Sequence, residues 1–413
     1  MEFYKRFNFF KKPLFGLFLT VFVDSLGFGL VFPILSGLIT DPNSHFLSED
    51  VSLAFRGLIF GGLVSIYAIG QFFGGPLLGR WSDIKGRKKI LVLSMWVSFF
   101  CYFLGGLGVF CKSLIALLLS RLFGGIAAGN HAIVQSIVVD QVEPEQRAQN
   151  FGMINMVWGT GFIMGPLVGG YFSQIDFMLP FWIATGVAFV NAVTVHYSLK
   201  ETHQQLSTKS FDLWEGLLNI KKGFNHPTLK SLFGIMFLFS LGWSFFTEFS
   251  PLLLTQRIGL KTYQVSHFYA YIGIWIALSQ GILIRPFLKR FSPEWLLKFG
   301  WIGLGLTLPL MLLCREFNDL LWVVPLTVFP ESLICPASSV IVSNAVSKEH
   351  QGETLGIHNS IQWAATGLAP LFSGSLVALY PHLPVTVCTF FTFVCVGLFS
   401  FIYKTKVVSN DSN

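Results

Sequence analysis

Gly74–Lys89 reads GGPLLGRWSDIKGRKK. The cations Arg80, Lys85, Arg87, Lys88 and Lys89 crowd around a single acid, Asp83. An apolar run at Val64–Leu78 enters this stretch, and another leaves it at Ile90–Val109. A short cationic loop between two membrane-length apolar segments stays on the cytoplasmic side. The stretch therefore predicts two membrane helices joined by a cytoplasmic loop, and the rest of the chain can be placed relative to it.

The 413 residues are 53% hydrophobic and only 12% charged, against about 25% charged in soluble globular chains. That deficit, spread between long apolar runs, predicts a polytopic membrane protein. A net charge of +7 would suit nucleic acid, but the cations sit in short loops at alternate helix ends, where they set orientation. The cysteines Cys101, Cys111, Cys314, Cys335, Cys388 and Cys395 lie in or at the ends of apolar segments without any C-x-x-C. They read as apolar packing residues, and neither a disulfide framework nor a metal site is expected. Lys5, Arg6, Lys11 and Lys12 precede an apolar run that imitates a signal peptide. The run is long, contains Asp24 and lacks a small-residue cleavage site, so it is expected to stay as the first span.

At about 20 apolar residues per span, helices are predicted near 14–38, 55–80, 88–110, 113–140, 148–173, 177–199, 229–255, 264–288, 294–314, 319–346, 351–379 and 383–403. The expected fold is an all-α membrane protein of twelve transmembrane helices in two pseudo-symmetric six-helix bundles, 1–199 and 229–413. A cytoplasmic linker, 200–228, joins them. Within it Phe211, Leu213, Trp214, Leu217, Leu218 and Ile220 alternate with charges, which predicts a short amphipathic helix on the membrane surface. With the N-terminus inside, the outer loops hold only Arg56, Lys112, Arg257, Lys261 and Arg315, so both termini are expected in the cytoplasm. The halves read as a degenerate repeat. With Gly281 set against Gly75, Lys289 falls where Asp83 stands, and the second copy has lost the acid.

The loop pattern G-x-L-x-x-R-x-S-D-x-x-G-R-K-K resembles the signature between the second and third helices of the major facilitator superfamily. In the first span, Asp24-Ser-Leu-Gly27-Phe-Gly29-Leu-Val-Phe-Pro33 resembles the D-x-x-G-x-G-x-x-x-P of its drug/proton antiporter branch, which includes tetracycline exporters. Arg121, Gly125 and Gly129 resemble the R-x-x-x-G-x-x-x-G of the fourth span. Gly161, Gly165, Pro166, Gly169 and Gly170 resemble the G-x-x-x-G-P-x-x-G-G of antiporters. The resemblance implies a facilitator fold. It also implies that Asp83, Arg87 and Asp140 form a charge cluster that latches the outward-facing state.

The residues themselves carry further expectations. Gly161, Gly165 and Gly169, spaced by four, share one helix face and admit a close backbone, while Pro166 removes a helical hydrogen bond. This suits a helix packed against the other half and able to move. Ionisable groups inside a span are costly and point to function. Asp24, halfway along the first span, is the first candidate proton carrier. Arg121 is a candidate partner for Asp24 or for an anionic substrate. Glu248, near Pro251, and Glu331, between Pro330 and Pro336, are candidate second proton sites, and the prolines beside Glu331 predict a broken helix lining a cavity. His131, Gln135, Asn155, His358 and Gln362 add polar groups to the cavity, with Trp158 and Trp243 among aromatics able to line it. The sequence holds no H-E-x-x-H, G-x-S-x-G or G-x-x-x-x-G-K-[ST]. No enzyme, cofactor or ATP site is expected, so an ion or solute gradient must supply the energy.

Together these readings predict a monomeric bacterial inner-membrane transporter that exchanges protons for an amphiphilic small molecule. Its expected partners are that substrate, protons and the lipid bilayer, with no nucleic acid. Two alternatives stay open: a carrier of a specific metabolite, such as a siderophore or nutrient, and a non-transporting sensor on the same fold.

Overall fold

The computed structural model describes residues 12–141, 144–202, 218, 221, 222, 224, 225, 229–346 and 351–410. The expected amphipathic linker helix falls almost wholly outside them. In chain order the helices are α1 (Lys12–Thr40), α2 (Leu53–Lys85), α3 (Arg87–Phe110), α4 (Leu114–Ala128), α5 (His131–Gln141), α6 (Pro144–Ser173) and α7 (Leu179–Ser198). Then follow α8 (Lys230–Arg257), α9 (Thr262–Leu278), α10 (Ile284–Arg290), α11 (Pro293–Thr307), α12 (Phe317–Asn344), α13 (Gln351–Leu379) and α14 (Leu383–Asn410). No strand occurs among the described residues.

Nine described helical segments are long and apolar enough to cross a membrane. Three further helical paths, 144–173, 262–290 and 351–379, stand where the other spans were expected. The third of these is a single helix, and the second is interrupted by a π turn at Ser279–Leu283. Prolines inside α1, α2, α6 and α8 are absorbed without ending the helix.

The stretch Gly74–Lys89, expected to hold a loop, is helical but for one residue. α2 runs on to Lys85 and α3 starts at Arg87, leaving Gly86 as the only hinge. Gly86 takes φ 98° and ψ 138°, a conformation open essentially to glycine alone. The reversal can therefore be made in one residue, and helical structure extends into what composition marks as polar.

Two compact units emerge. One takes in the described parts of Met1–Leu35 and Ile69–Leu213, the other those of Ser36–Ala68 and Trp214–Asn413. In the first, Leu17, Phe18 and Val21 of α1 meet Leu91 and Met95 of α3, Ala192 and Val195 of α7, and Ile133, Val134, Ile137 and Val138 of α5. The second buries Trp301 of α11, whose ring stands edge-on to Phe399 of α14 at 5.6 Å, beside Phe239 of α8. It also holds the α1–α2 turn, where Phe60 meets Phe249 edge-on at 5.7 Å.

The glycine face of α6 packs on α1. A Cβ on Gly165 would sit 2.6 Å from the Leu26 carbonyl oxygen and 2.7 Å from the Gly29 Cα, and Gly161 and Gly169 face Phe22, Ser25 and Leu30 in the same way. The nearest atoms to this face thus belong to α1. The small residues needed for a close crossing, Ser25 and Gly29, lie in α1 of the same unit.

Candidate functional site

Asp24 is half-buried on α1. The side-chain amide of Asn130 donates to its Oδ2 at 2.9 Å, and Asn130 itself is buried. Asn130 stands at a break in the fourth span. That span was expected to be continuous, but it divides at Gly129–Asn130 into α4 and α5. The reason is local packing. Gly129 lies against the Gly74–Gly75 backbone of α2, and Gly74 faces Ile126, so a side chain at either position would collide with main chain. The amides of Gly129 and Asn130 close tight turns onto Ile126 and Ala127 at 3.1 Å, and the Asn130 carbonyl starts α5 by accepting from Val134 at 3.0 Å. Broken helices inside a membrane are tolerated where they line a cavity or are covered by protein, and here the break presents its amide to the one acid of α1.

One turn beyond Asp24 an aromatic ladder begins. Phe28 stacks on Phe32 at 5.2 Å and on Phe162 of α6 at 6.3 Å, and Phe162 stacks on Trp158 at 5.3 Å. Trp158 is 42% exposed at the ladder's end. On α5, His131 and Gln135 contact each other at 3.2 Å, on the side away from the apolar face that enters the core. Arg121 is buried in α4 with its guanidinium 5.9 Å from the Phe181 ring centroid. The side chain found on Asp24 is thus Asn130, while Arg121, read from the sequence as a candidate partner for Asp24 or for an anionic substrate, lies by Phe181. The side chain of Asn155 lies outside the described residues.

A second cluster lies where α2 meets α3. Arg87 Nε is 2.7 Å from Asp140 Oδ2, and its Nη2 is 3.6 Å from Asp83 Oδ1. The guanidinium side chain is 10% exposed. Glu201, just beyond α7, completes the group: its carboxylate accepts from the backbone amides of Arg87 at 3.0 Å and Lys88 at 3.2 Å. Those amides are the unpaired start of α3, where a carboxylate is favoured by both hydrogen bonding and the helix dipole. The Thr202 hydroxyl donates to Asp140 at 3.3 Å.

In the second unit the predicted residues are dispersed. Glu331 lies half-buried on α12, which is unbroken from Phe317 to Asn344. The expected break at its prolines does not occur, and Pro330 instead fills the surface of α11 left open by Gly300 and Gly303. Glu248 lies half-buried on α8, beside a tight group in which the Tyr269 hydroxyl meets Ser250 at 2.7 Å and donates to the Thr247 carbonyl at 2.9 Å. His358 is fully buried; its Nε2 contacts Gln362 at 2.7 Å and Ser338 at 3.2 Å, and its ring leans on Phe233. Trp243 stacks on Phe239 at 6.3 Å.

The family model for the Major Facilitator Superfamily matches residues 17–334. The chain belongs to that superfamily. This facilitator is similar to the class E tetracycline resistance protein of Escherichia coli, 27% identical over 85% of the chain and 84% of that protein. It is similar to multidrug resistance protein 2 of Bacillus subtilis, 24% identical over 97% of each. The quinolone resistance protein NorA of Staphylococcus aureus is 25% identical over 91% of the chain and 92% of its own length. Among solved structures, the human organic anion transporter MFSD10 superposes with a TM-score of 0.70 at 23% identity, covering 94% of the chain and 99% of its own. A D-xylose–proton symporter superposes at 0.72 with 15% identity, covering 94% and 97%. These structural likenesses establish the fold.

Two residues of these clusters, Asn130 and Glu201, are not marked out by the sequence. Asn130 carried a signal, since it follows the last glycine of R-x-x-x-G-x-x-x-G, but an asparagine in a polar-flecked span gives no hint of which acid it meets. Glu201 is far from Arg87 in sequence, and only the return of α7 brings it there. No cluster of metal-ligating side chains occurs among the described residues.

Proposed function

We propose that this facilitator is a proton-coupled antiporter that exports an amphiphilic small molecule by alternating access. The observation that carries the reading is Asp24: a membrane-span carboxylate held by the amide of a broken helix at the end of an aromatic ladder. An acid in that setting can exchange a proton, and the ladder offers flat apolar surface to a substrate beside it. The drug-resistance relatives support the substrate class. In this scheme Asp24 carries the proton, Arg121, His131, Gln135, Asn155, Trp158, Trp243, His358 and Gln362 shape the substrate path, and Glu331 and Glu248 are secondary proton sites. Asp83, Arg87 and Asp140 latch one state on the cytoplasmic side, and Gly161, Gly165, Pro166 and Gly169 form a packing hinge. The protein works as a monomer in the inner membrane with both termini in the cytoplasm.

Proteoliposomes enclosing a pH-sensitive dye test the reading. Lipophilic cations, tetracycline-like compounds and metal-chelating metabolites are added in turn to wild type and to Asp24→Asn. The expected result is proton movement driven by at least one lipophilic compound in wild type and none in the variant. Movement with a chelating metabolite alone would replace the drug-export reading by a specific carrier. Equal movement in both proteins would remove Asp24 from the proton path.

A further inference from the structure

We propose that α5 is a coupling rod: Asn130 at one end senses the charge on Asp24, and Asp140 near the other transmits it to Arg87. This rests on the reading of Asp24 as the proton carrier. The observation behind it is that one short helix has both of its ends engaged. Its first carbonyl partner, Asn130, donates to Asp24 at 2.9 Å. Ten residues on, Asp140 is 2.7 Å from Arg87. The helix has 11 residues, which at about 1.5 Å per residue is a stiff body about 16 Å long.

Three features let it act as one body. The break at Gly129–Asn130 separates it from α4, which is held against α2 by the glycine contacts of Gly74 and Gly129. Its apolar face, Ile133, Val134, Ile137 and Val138, is fully buried in one cluster with α1 and α3, which keeps its turns packed as a unit. Its far end is tied twice, to Arg87 and to the Thr202 hydroxyl.

The chemistry gives the direction. An amide donating to an ionised carboxylate makes a charge-assisted bond, roughly twice as strong as the bond to the neutral acid. Protonation of Asp24 therefore weakens the hold on Asn130. The break is then free to pivot, and Asp140 is drawn from Arg87. Few other groups can take the role of Asp24. On the elements packed near it, Tyr102 of α3 lies with its hydroxyl against Gly27, His131 is engaged with Gln135, and Arg121 lies by Phe181. On α6 no ionisable residue stands between Arg147 and Tyr171. On α7, which meets α1 through Thr20 and Asn191 at 3.5 Å, His196 lies toward the end of the helix.

Hydrogen exchange of the purified full chain reads the latch directly, because the Arg87 and Lys88 amides bond to Glu201 beside it. Four proteins are compared at one alkaline pH: wild type, Asp24→Asn, Asn130→Ala and the double variant. Asp24→Asn mimics the neutral acid and is expected to speed exchange at Arg87 and Lys88 about tenfold, the scale of one hydrogen bond to a charged group. In the Asn130→Ala background the same change is expected to have no further effect. Asn130→Leu, which keeps the size and removes the donor, should behave like Asn130→Ala and decides the question if the alanine variant does not fold. If Asp24→Asn speeds exchange equally with and without the Asn130 amide, the rod is overturned. If Asp24→Asn leaves the latch unchanged, the rod is overturned as well. Proton flux in the same Asp24→Asn protein tells this failure from that of the antiport reading: lost flux with an unresponsive latch sinks the rod alone, and retained flux sinks the proton-carrier role of Asp24.

Discussion

Arg56 counts by sequence as one of the few outer-loop cations. In the structure it is buried, and its guanidinium donates to the carbonyls of Ile39 at 3.0 Å, Ser48 at 2.8 Å and Val51 at 3.1 Å. It staples the turn between α1 and α2 by satisfying main-chain acceptors that the turn leaves unpaired. Arg56→Lys keeps the charge but not the planar fork. An ammonium cannot span the three carbonyls that three separate guanidinium nitrogens reach, and the loss should cost about 2–4 kcal/mol. Thermal unfolding in detergent should show a clear drop in Tm for Arg56→Lys, while Arg315→Lys, at an exposed loop position, should change it little. A second prediction concerns Gly86. With φ 98° and the Glu201 carboxylate where a side chain would go, Gly86→Ala meets both backbone strain and a collision. A cost of about 1–3 kcal/mol from the backbone alone should appear as a lower Tm and faster exchange at Arg87.

At the scale of the helix, the sequence showed which segments would be helical but not where they would break. Spans read from apolar length fell within a few residues of α1, α3, α7 and α8, because twenty apolar residues in lipid have one way to satisfy their backbone. Breaks follow tertiary contacts instead. Pro330 and Pro336 suggested an interruption at Glu331, yet the helix is continuous because Pro330 packs on glycines of α11. The fourth span shows no proline, yet it breaks at Gly129–Asn130, where main chain from α2 lies against it. The glycine run of α6 was legible as a close-packing face, but its partner was not, since a glycine pattern carries no address. The pairing with α1 makes a prediction at this scale. Gly165→Leu must push α1 away from α6, since even a Cβ there would lie 2.6 Å from the Leu26 carbonyl oxygen. It is expected to abolish transport and to lower Tm strongly, whereas Gly159→Leu, which has open space beside it, should fold and retain activity.

For the whole molecule, the charge-bearing ends of α2 and α3 belong inside under the proposed orientation, and the far end of α3 belongs outside. Cys111, exposed just past that end, is a natural reporter. A membrane-impermeant maleimide added to intact cells should label Cys111, with the Cys111→Ser variant as background. A Lys88→Cys variant built on Cys111→Ser should be labelled only after the membrane is opened. The reverse pattern would invert the topology. The candidate site was partly legible at this scale too: Asp24, Asp83, Arg87 and Asp140 were named from the sequence, and the structure places Asp83 and Asp140 beside the Arg87 guanidinium. Glu201 and Asn130 were not, because each acts across more than a hundred residues of chain.

The claim that Asp24 exchanges its proton for substrate is tested most directly by proton release on binding. Purified wild type in weakly buffered detergent solution is titrated with a compound found to drive flux, and free protons are followed with a soluble dye. The account predicts proton release that saturates with binding in wild type, and binding without release in Asp24→Asn. Equal release from both proteins would contradict it.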